Sequence, residues 1–257
     1  MLEPRREPRL ESQRRLAVHM ARSEAEIVDA QRLRYRVFAE EMGARLPTAA
    51  EGVDRDLFDP WCEHLLVTEE DTGEVVGTYR ILTGETAKRI GGFYSEREFD
   101  LTRLNHLRDR AIEIGRSCVH PDHRSGAVIA LLWSGLAEYM LRTRYEFILG
   151  CASMSMADGG HSAAAAFIKL RESYLSPVEY RVFPRCPLPL HELDQNATPA
   201  IEPLIRAYLR VGAYVCGEPA WDPDFNTADL LMLLPASRAD ARYAKYFIAR
   251  HLTRNAG

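Results

Sequence analysis

Residues 110–154 contain the pattern that most restricts how this chain can fold. A strand-like run, "RAIEIGRSCV", is followed by an apolar segment with helical spacing, "SGAVIALLWSGLAEYMLRTRY", and then by a second strand-like run, "EFILGCASM". Two strands joined through a helix usually pair in parallel, because the helix carries the chain back to the edge of the sheet where the first strand began. The pattern therefore predicts an α/β fold.

Further strands and helices are predicted on both sides of this unit. "RRLAVHMAR" predicts a first strand, and Ser23 with Glu26 forms a capping-box pattern for a helix that ends at Gly43. "EHLLVTEEDTGEVVGTYRIL" contains two strand-like runs joined at residues 71–73, as in an antiparallel hairpin. "HSAAAAFIKLRESYL" and residues 201–211 predict helices, and "ADLLMLLP" predicts a late strand. We expect a mixed, mainly antiparallel sheet flanked by helices.

Composition restricts the class of protein and its partners. The hydrophobic fraction of 46% and the charged fraction of 27% are those of a globular protein, and no apolar run reaches membrane-span length. A net charge of −4 argues against nucleic acid as the main partner. The first fifteen residues have no apolar run, which excludes a secretory signal and leads us to expect a cytoplasmic protein. We expect a flexible basic tail over 1–15 and one domain over 16–257, with a C-terminal extension from about residue 195.

The C-terminal segment is strongly basic. Its cationic residues outnumber the single Asp240: they are Arg238, Arg242, Lys245, Arg250 and Arg254. One interpretation is contact with an anionic membrane, which would place the protein at the inner membrane face. The alternative is a solvated helix face, and the sequence leaves both open.

The cysteines give no sign of metal or redox chemistry. Five are present, widely spaced and without a CxxC pair. We therefore expect reduced thiols, no metal site and no bound cofactor.

Glu113 and Arg116 are charged residues inside the strand-like run "AIEIGRSCV". In a regular strand, residues three apart point to opposite faces. Gly115 lies between them, and a glycine within a strand often marks a β-bulge, which would bring both side chains to one face and loosen pairing with a neighbouring strand. The alternative is a weak ion pair on an edge strand.

Several charged and aromatic residues recur at ordered spacings along the chain. They form an Arg-x-x-x-Phe in the first helix, an Asp-x-x-Asp before the second strand, an Arg in the third strand and a Glu-x-x-Arg in the fourth: Arg34, Phe38, Asp56, Asp59, Arg80, Glu113 and Arg116. With them the sequence resembles the acyl-homoserine lactone synthases, which share the N-acetyltransferase fold. "RYRVFAEEMGA", "DLFDPWCEHLLV", "GCASMSMADGG" and "GAYVCGEPAWDPDFNTADLLMLLP" resemble the bacterial L-ornithine N-alpha-acyltransferases of ornithine lipid synthesis more closely.

The resemblance implies transfer of a (3-hydroxy)fatty acyl group to the α-amine of L-ornithine, giving lyso-ornithine lipid. For this reaction we predict Glu113 and Arg116 as catalytic residues, with Glu113 as the base that removes the amine proton. An acyl-enzyme on Cys118 is a less favoured route. Arginine forks suit the acceptor carboxylate and aspartates suit its ammonium groups. The predicted substrate-binding residues are Arg34, Phe38, Asp54, Asp56, Asp59 and Arg80. For the aspartates, a loop capping the second strand remains an equal alternative.

The acyl donor is expected to be the acyl-phosphopantetheine of acyl carrier protein. "VHPDHRSGAVIALL" keeps Arg124 and Gly126 but lacks the second glycine of the loop that cradles the pyrophosphate of coenzyme A. Because acyl carrier proteins are acidic, we predict docking on Arg124, Arg142 and Arg144.

Two other functions remain open at this point. One is a lactone-type signal synthase, although Gly43-Ala44 stand where the lactone synthases carry a tryptophan. The other is a non-catalytic module that binds an acyl carrier or a membrane.

Overall fold

The computed structural model describes residues 15–239. Arg242, Lys245, Arg250 and Arg254, and the predicted tail before Arg15, lie outside the described residues. The helices are α1 (Glu24–Tyr35), α2 (Gly84–Ile90), α3 (Ala127–Thr143), α4 (His161–Tyr174) and α5 (Pro203–Arg210). The strands are β1 (Leu16–Met20), β2 (Glu63–Glu69), β3 (Val75–Thr83), β4 (Phe99–Asp100), β5 (Ala111–Val119), β6 (Phe147–Ser155), β7 (Phe183–Pro184), β8 (Tyr214–Val215), β9 (Ala220–Asp222) and β10 (Thr227–Pro235).

Within residues 15–239, eight strands form one sheet in the order β1-β2-β3-β5-β6-β10-β8, with β9 beside β10. The β5–β6 pair is parallel, as the strand-helix-strand pattern predicted, and the other pairs are antiparallel. The expectation of a mixed, mainly antiparallel sheet is therefore confirmed. Strands β4 and β7 form a separate short ladder.

Helices cover both faces of this sheet. Leu65 and Val67 of β2 pack in one cluster with Leu132 and Leu136 of α3, whereas Leu66 packs in another with α1. This alternation is what the two-residue period of a strand requires. A Cβ atom at Gly135 would come within 2.9 Å of Leu65, so the glycine allows α3 to lie close to β2.

The first helix begins and ends where the sequence predicted, but its last part is irregular. Ser23 Oγ accepts a hydrogen bond from Glu26 N, and the chain turns at Gly43 with a φ of 77°. Residues Arg36–Glu41 form a π-helical turn after α1. Such turns are rare in proteins overall, and those that occur often lie at functional sites. Phe38, within this one, faces the central cavity described below.

The C-terminal region completes the main sheet. Strand β10 pairs with β6 from Thr227 opposite Ser155 to Pro235 opposite Phe147. The segment after residue 195 is therefore tied to the middle of the fold. None of the described helices is long and apolar enough to cross a lipid bilayer.

Candidate active site

The predicted bulge lies in β5. Thr78 is opposite Cys118 and Arg80 is opposite Gly115, so one residue between them on β3 faces two on β5. The residue with left-handed backbone is Arg116, with a φ of 51°, and not the neighbouring glycine. Non-glycine residues adopt this conformation at a cost of about 1–3 kcal/mol, and they do so where the surroundings hold them in place.

A cavity opens beside the bulge because β5 and β6 separate. In the described chain their ladder runs only from Ala111 opposite Phe147 to Glu113 opposite Leu149. Past this point a cavity of about 770 Å³ lies against both strands, and its wall includes Glu113, Gly115 and Arg116. Glu113 and Arg116 therefore border the same space, as the bulge interpretation required.

Three arginines and three aspartates form a network of ion pairs next to this cavity. Arg34 binds Asp54 (Nε–Oδ2 2.9 Å) and Asp59 (Nη2–Oδ1 2.7 Å). Arg80 binds Asp56 (Nη1–Oδ1 2.7 Å) and Asp59 (Nη1–Oδ2 3.2 Å). Arg116 completes the network. Its Nε lies 3.0 Å from Asp54 Oδ2, and its Nη2 lies 3.2 Å from Asp56 Oδ2.

The network changes the expected roles of the predicted substrate-binding residues. Arg34 has no exposed side-chain surface, and the side chains of Asp54 and Asp59 are 2–3% exposed, so these three lie behind the cavity wall. Asp56 is 14% exposed but is bound by Arg80 and Arg116. The three aspartates lie in the loop before β2, where Asp54 and Asp59 are buried. Phe38 and Arg80 do line the cavity.

Arg116 is the most accessible of the three arginines in the network, at 11% of its side chain. Its guanidinium lies 4.9 Å from the ring centres of both Tyr94 and Phe225. A planar cation between two aromatic faces is held in one orientation. Its N–H groups outside the two ion pairs are therefore fixed donors at the cavity.

Glu113 is buried and fully engaged with one loop. Its Oε2 accepts a hydrogen bond from Tyr94 N (2.6 Å), and its Oε1 accepts from Ser95 N (2.8 Å) and from Ser95 Oγ. Burial raises the pKa of Glu113 above its ordinary value, although these hydrogen bonds and Arg80 act in the opposite direction. A carboxylate has about four acceptor positions, so one remains for a substrate proton or a water.

The cavity thiols are poorly suited to nucleophilic catalysis. Cys118 and Cys151 both line the cavity. Burial raises the pKa of Cys118 to about 12 and that of Cys151 well above its ordinary value. Because the thiolate is the reactive form, this disfavours the route through an acyl-enzyme on Cys118.

The three predicted docking arginines do not share one surface. Arg124 lies at the cavity, where it pairs with Glu41 through two contacts of 2.6 and 2.7 Å. Arg142 and Arg144 lie at the opposite end of α3, a helix of 17 residues. At 1.5 Å per residue, Arg142 and Arg144 are separated from Arg124 by about 25 Å along the helix. Of the three predicted docking residues, Arg124 is the one that lies at the cavity.

Two acidic residues of the cavity region were not predicted. Asp229 lines the cavity, and its carboxylate, that of Glu98 and the thiol of Cys151 have donor atoms within 4.8 Å of one another. The sequence contained a signal for Asp229, because it is the one charged residue in the otherwise apolar "ADLLMLLP". Sequence proximity could not connect it with Glu98.

A second, apolar cavity of about 220 Å³ adjoins the gap between β5 and β6. Its walls come from α3, β6, α5 and β10 and include Trp133 and Met140. Three residues, Ile114, Cys151 and Tyr208, line both this cavity and the large one. The two spaces therefore meet at the separated strands.

Comparisons with known proteins agree with this architecture. Residues 33–134 match an acetyltransferase (GNAT) domain, the family Acetyltransf_5. A protein of Agrobacterium fabrum named L-ornithine N(alpha)-acyltransferase is 39% identical over an alignment of length 252, and the match covers 90% of this chain and 85% of that protein. A protein of the same name from Rhodobacter capsulatus is 38% identical over an alignment of length 247, and the match covers 91% of this chain and 95% of that protein.

Solved structures with the same fold include a CoA-dependent acyl-homoserine lactone synthase, MesI. It has a TM-score of 0.54 at 12% identity, over 91% of this chain and 95% of that one. FeeM, an N-acyl amino acid synthase from uncultured soil microbes, has a TM-score of 0.53 at 12% identity, over 87% of this chain and 92% of that one. The expected N-acetyltransferase-like fold is thereby confirmed.

Proposed function

This chain belongs to the family of L-ornithine N(alpha)-acyltransferases, and we propose that it transfers a (3-hydroxy)fatty acyl group from acyl carrier protein to the α-amine of L-ornithine, giving lyso-ornithine lipid. One observation carries this proposal. A large cavity whose wall carries charged side chains and a smaller apolar cavity meet at the gap between β5 and β6, and Glu113 lies in the wall of the larger one. Acyl transfer to an amino acid needs a polar acceptor site and an apolar acyl site that share one reaction point.

The apolar cavity is the proposed acyl site. Its walls are aliphatic and aromatic, and a chain that entered through the gap would exchange water for contact with Leu136, Met140 and Met232. Burial of each CH₂ contributes about 0.8 kcal/mol. The thioester carbonyl of such a chain would remain at the gap, next to β5.

The reaction requires attack of the neutral α-amine on the thioester carbon. A C–N bond forms, the carbonyl becomes an oxyanion, and the C–S bond then breaks to release the phosphopantetheine thiol. In our proposal Glu113 accepts the amine proton, directly or through a water, and the proton passes to the departing sulfur. A raised pKa of Glu113 suits this exchange near neutral pH. Backbone N–H groups of β5 at the bulge face no strand on the β6 side in the described chain and are proposed to bind the oxyanion.

Arg116 is proposed to bind the carboxylate of the acceptor. It is the network arginine with most side-chain surface at the cavity, and the rings of Tyr94 and Phe225 hold its plane. Arginine suits this task because its planar fork matches a carboxylate. Arg80, at 4% exposure, would support Arg116 through Asp56 rather than bind the substrate itself.

The donor arm is proposed to enter at the N-terminus of α3. Gly126, at the N-cap, has no side chain to occupy the first helical N–H groups, and it borders the cavity together with Arg124. A helix N-terminus suits the single phosphate of phosphopantetheine. The bound cofactor is thus expected to belong to the donor, and none is expected to reside in the enzyme.

The site of action is proposed to be the inner face of the cytoplasmic membrane. The support for this is the basic composition of residues 238–254 and the lipid nature of the product. Binding to vesicles with anionic lipid, compared with neutral vesicles, tests it. A variant with Arg242 and Lys245 reversed to Glu should lose this binding and keep its activity in solution.

Incubation with acyl carrier protein charged with 3-hydroxyacyl groups and a panel of free amino acids tests the whole proposal. We expect thiol release that depends on ornithine, and mass spectrometry should detect N-acyl-ornithine. A lactone formed from S-adenosylmethionine would establish the signal-synthase alternative. Binding of the acyl carrier without thiol release would establish a non-catalytic module, and equal rates with acyl-coenzyme A would overturn the donor assignment.

A further inference from the structure

An acidic pair at the large cavity, Asp229 in its wall and Glu98 directly beside Asp229, has no role in the chemistry described so far. Glu98 follows the loop that binds Glu113, and Asp229 lies on β10 opposite Ser153 of β6. With Cys151, their donor atoms lie within 4.8 Å of one another. Three distant segments of the chain thus bring two carboxyl groups and a thiol together at the edge of the cavity.

The carboxyl groups of this pair have acceptor positions without protein partners. Asp229 is 4% exposed, and its Oδ1 accepts no hydrogen bond from residues 15–239. Glu98 Oε2 is also buried without a hydrogen-bond partner in the described chain, and the hydroxyl groups of Ser153 and Thr227 lie beside Asp229. Buried acceptors without partners are costly, which indicates that a donor absent from the protein itself completes the site.

The arginines of the cavity do not neutralise this pair. Arg80 and Arg116 are engaged by the aspartates of the ion-pair network. Arg124 is engaged by Glu41. A further carboxylate, Asp222, also lines the cavity and lies close enough to raise the pKa of Glu98. This end of the cavity is therefore suited to a cation.

We propose that Glu98 and Asp229 bind the side-chain ammonium group of the acceptor and so select a diamino acid over a neutral one. This inference rests on the proposed function for the identity of the acceptor. The position of the pair fits it, because Cys151 Sγ lies 3.4 Å from Ser95 Oγ, which donates to Glu113. An amino acid with its α-amine at Glu113 and its carboxylate at Arg116 would thus extend its side chain toward Glu98 and Asp229.

An ammonium group suits the pair better than a metal ion does. A metal would require the thiolate of Cys151, but burial and the carboxylates of Glu98 and Asp229 keep this thiol protonated by raising its pKa. A primary ammonium carries three donors and accepts nothing, which complements two carboxyl groups and a threonine hydroxyl.

The pair also predicts how binding depends on pH. Burial, Asp229 and Asp222 raise the pKa of Glu98 to about 10, and burial raises the pKa of Asp229, so near neutral pH the two carboxyl groups retain a proton. A bound ammonium favours the ionised forms and lowers both pKa values. Binding of the diamino acid should therefore release a proton, and its affinity should rise from pH 6 to pH 8.

The test compares Asp229→Asn and Glu98→Gln with wild type, using L-ornithine and L-norvaline, which has the same carbon chain without the side-chain amine. Wild type should prefer ornithine by at least about 100-fold in kcat/KM, because a buried acceptor site rejects a ligand that lacks the donor. Both variants should lose most of this preference through a fall in kcat/KM for ornithine, with little change for norvaline. Asp224→Asn, which removes an exposed carboxylate on the β9–β10 connection, is the matched control.

Calorimetric binding of ornithine separates this inference from the proposed function. If the full chain binds ornithine with proton release, and Asp229→Asn abolishes this without loss of thermal stability, the site is established even where no acyl transfer occurs. Equal losses of kcat/KM for ornithine and norvaline would show a structural role and overturn the inference. An activity that a chelator removes and Zn²⁺ restores would also overturn the inference, because the pair would then be a metal site.

Discussion

At the scale of single residues, Glu113 combines two tasks that are usually separate. Its carboxylate anchors the loop at Tyr94 and Ser95 through three hydrogen bonds, and it faces the cavity in which the acceptor is proposed to bind. Its burial and its hydrogen bonds have opposing effects on its pKa, and burial is the larger of the two. Changes at Glu113 should therefore affect both stability and catalysis, and a control is needed to separate them.

Glu113→Gln should lower kcat by about 100-fold or more, because it removes the proposed base. It should also cost about 1–3 kcal/mol of unfolding free energy, because the amide nitrogen would face the N–H groups of the loop. Ser95→Ala removes one donor to Glu113 while leaving the carboxylate, so it should lose stability but retain most activity. Thiol release and urea unfolding measure the two effects. Equal activity loss in both variants would assign Glu113 to structure alone.

Arg116→Gly and Arg116→Ala test the left-handed backbone of the bulge. Both remove the guanidinium, so both should raise the KM for ornithine. Glycine adopts a φ near 51° without strain, so the Gly variant should be more stable than the Ala variant by about 1 kcal/mol. Thermal unfolding measures this difference. A less stable Gly variant would contradict the view that Arg116 is strained.

At the scale of elements, the ion-pair network joins four parts of the fold. Arg34 belongs to α1, the aspartates belong to the loop over 54–59, and Arg80 and Arg116 belong to β3 and β5. These ion pairs therefore fix the positions of the helix, the loop and the two strands relative to one another. The motif residues that suggested substrate contact instead act largely on each other, and Arg116 connects the network with the cavity.

Arg34→Ala should destabilise the protein by about 3–5 kcal/mol, because each of the buried Asp54 and Asp59 carboxylates loses one of its two arginine partners. Arg32→Ala is the matched control on the same helix, since Arg32 forms an exposed ion pair with Asp29. We expect no measurable change in the control. Denaturant unfolding of both variants checks this, and similar stabilities would show that the network contributes little.

At the scale of the whole molecule, the separated strands join the spaces proposed for the acceptor, the acyl chain and the donor arm. The sheet brings residues from Phe38 to Asp229 around one cavity, although they are far apart in the chain. The apolar cavity proposed for the acyl chain depends on β10, which pairs with β6 and lines this cavity. The C-terminal strand is therefore part of the proposed active site and not an appendage.

Ala137→Phe should shorten the acyl chains that the enzyme accepts, because Ala137 lines the apolar cavity and the larger ring would fill part of it. Rates with short acyl donors should remain close to wild type, which serves as the internal control for folding. Competition between donors of different length gives the preference. An unchanged preference would place the acyl chain elsewhere.

Arg124→Glu should raise the KM for acyl carrier protein by about tenfold at low salt without changing the KM for ornithine. The effect should fade as salt screens the charges. Arg142→Glu makes the same charge change at the far end of α3 and should have little effect. Because Arg124 pairs with Glu41, the neutral variant Arg124→Gln is also needed. Equal effects at both ends of the helix would rule out a localised docking site.

The sequence alone determined the order of the elements and the residue types at the site. The strand-helix-strand unit, the hairpin at residues 71–73 and the break at Gly43 depend on local periodicity and backbone preference, so they can be predicted from neighbouring residues. The spaced Arg, Asp and Glu residues also indicated the family. Only the tertiary structure decided that Arg34 binds aspartates out of reach of the cavity, that the bulge strains Arg116 and not Gly115, and that Glu98 meets Asp229. Strand register and ion pairing set these contacts, and both depend on residues far apart in the chain.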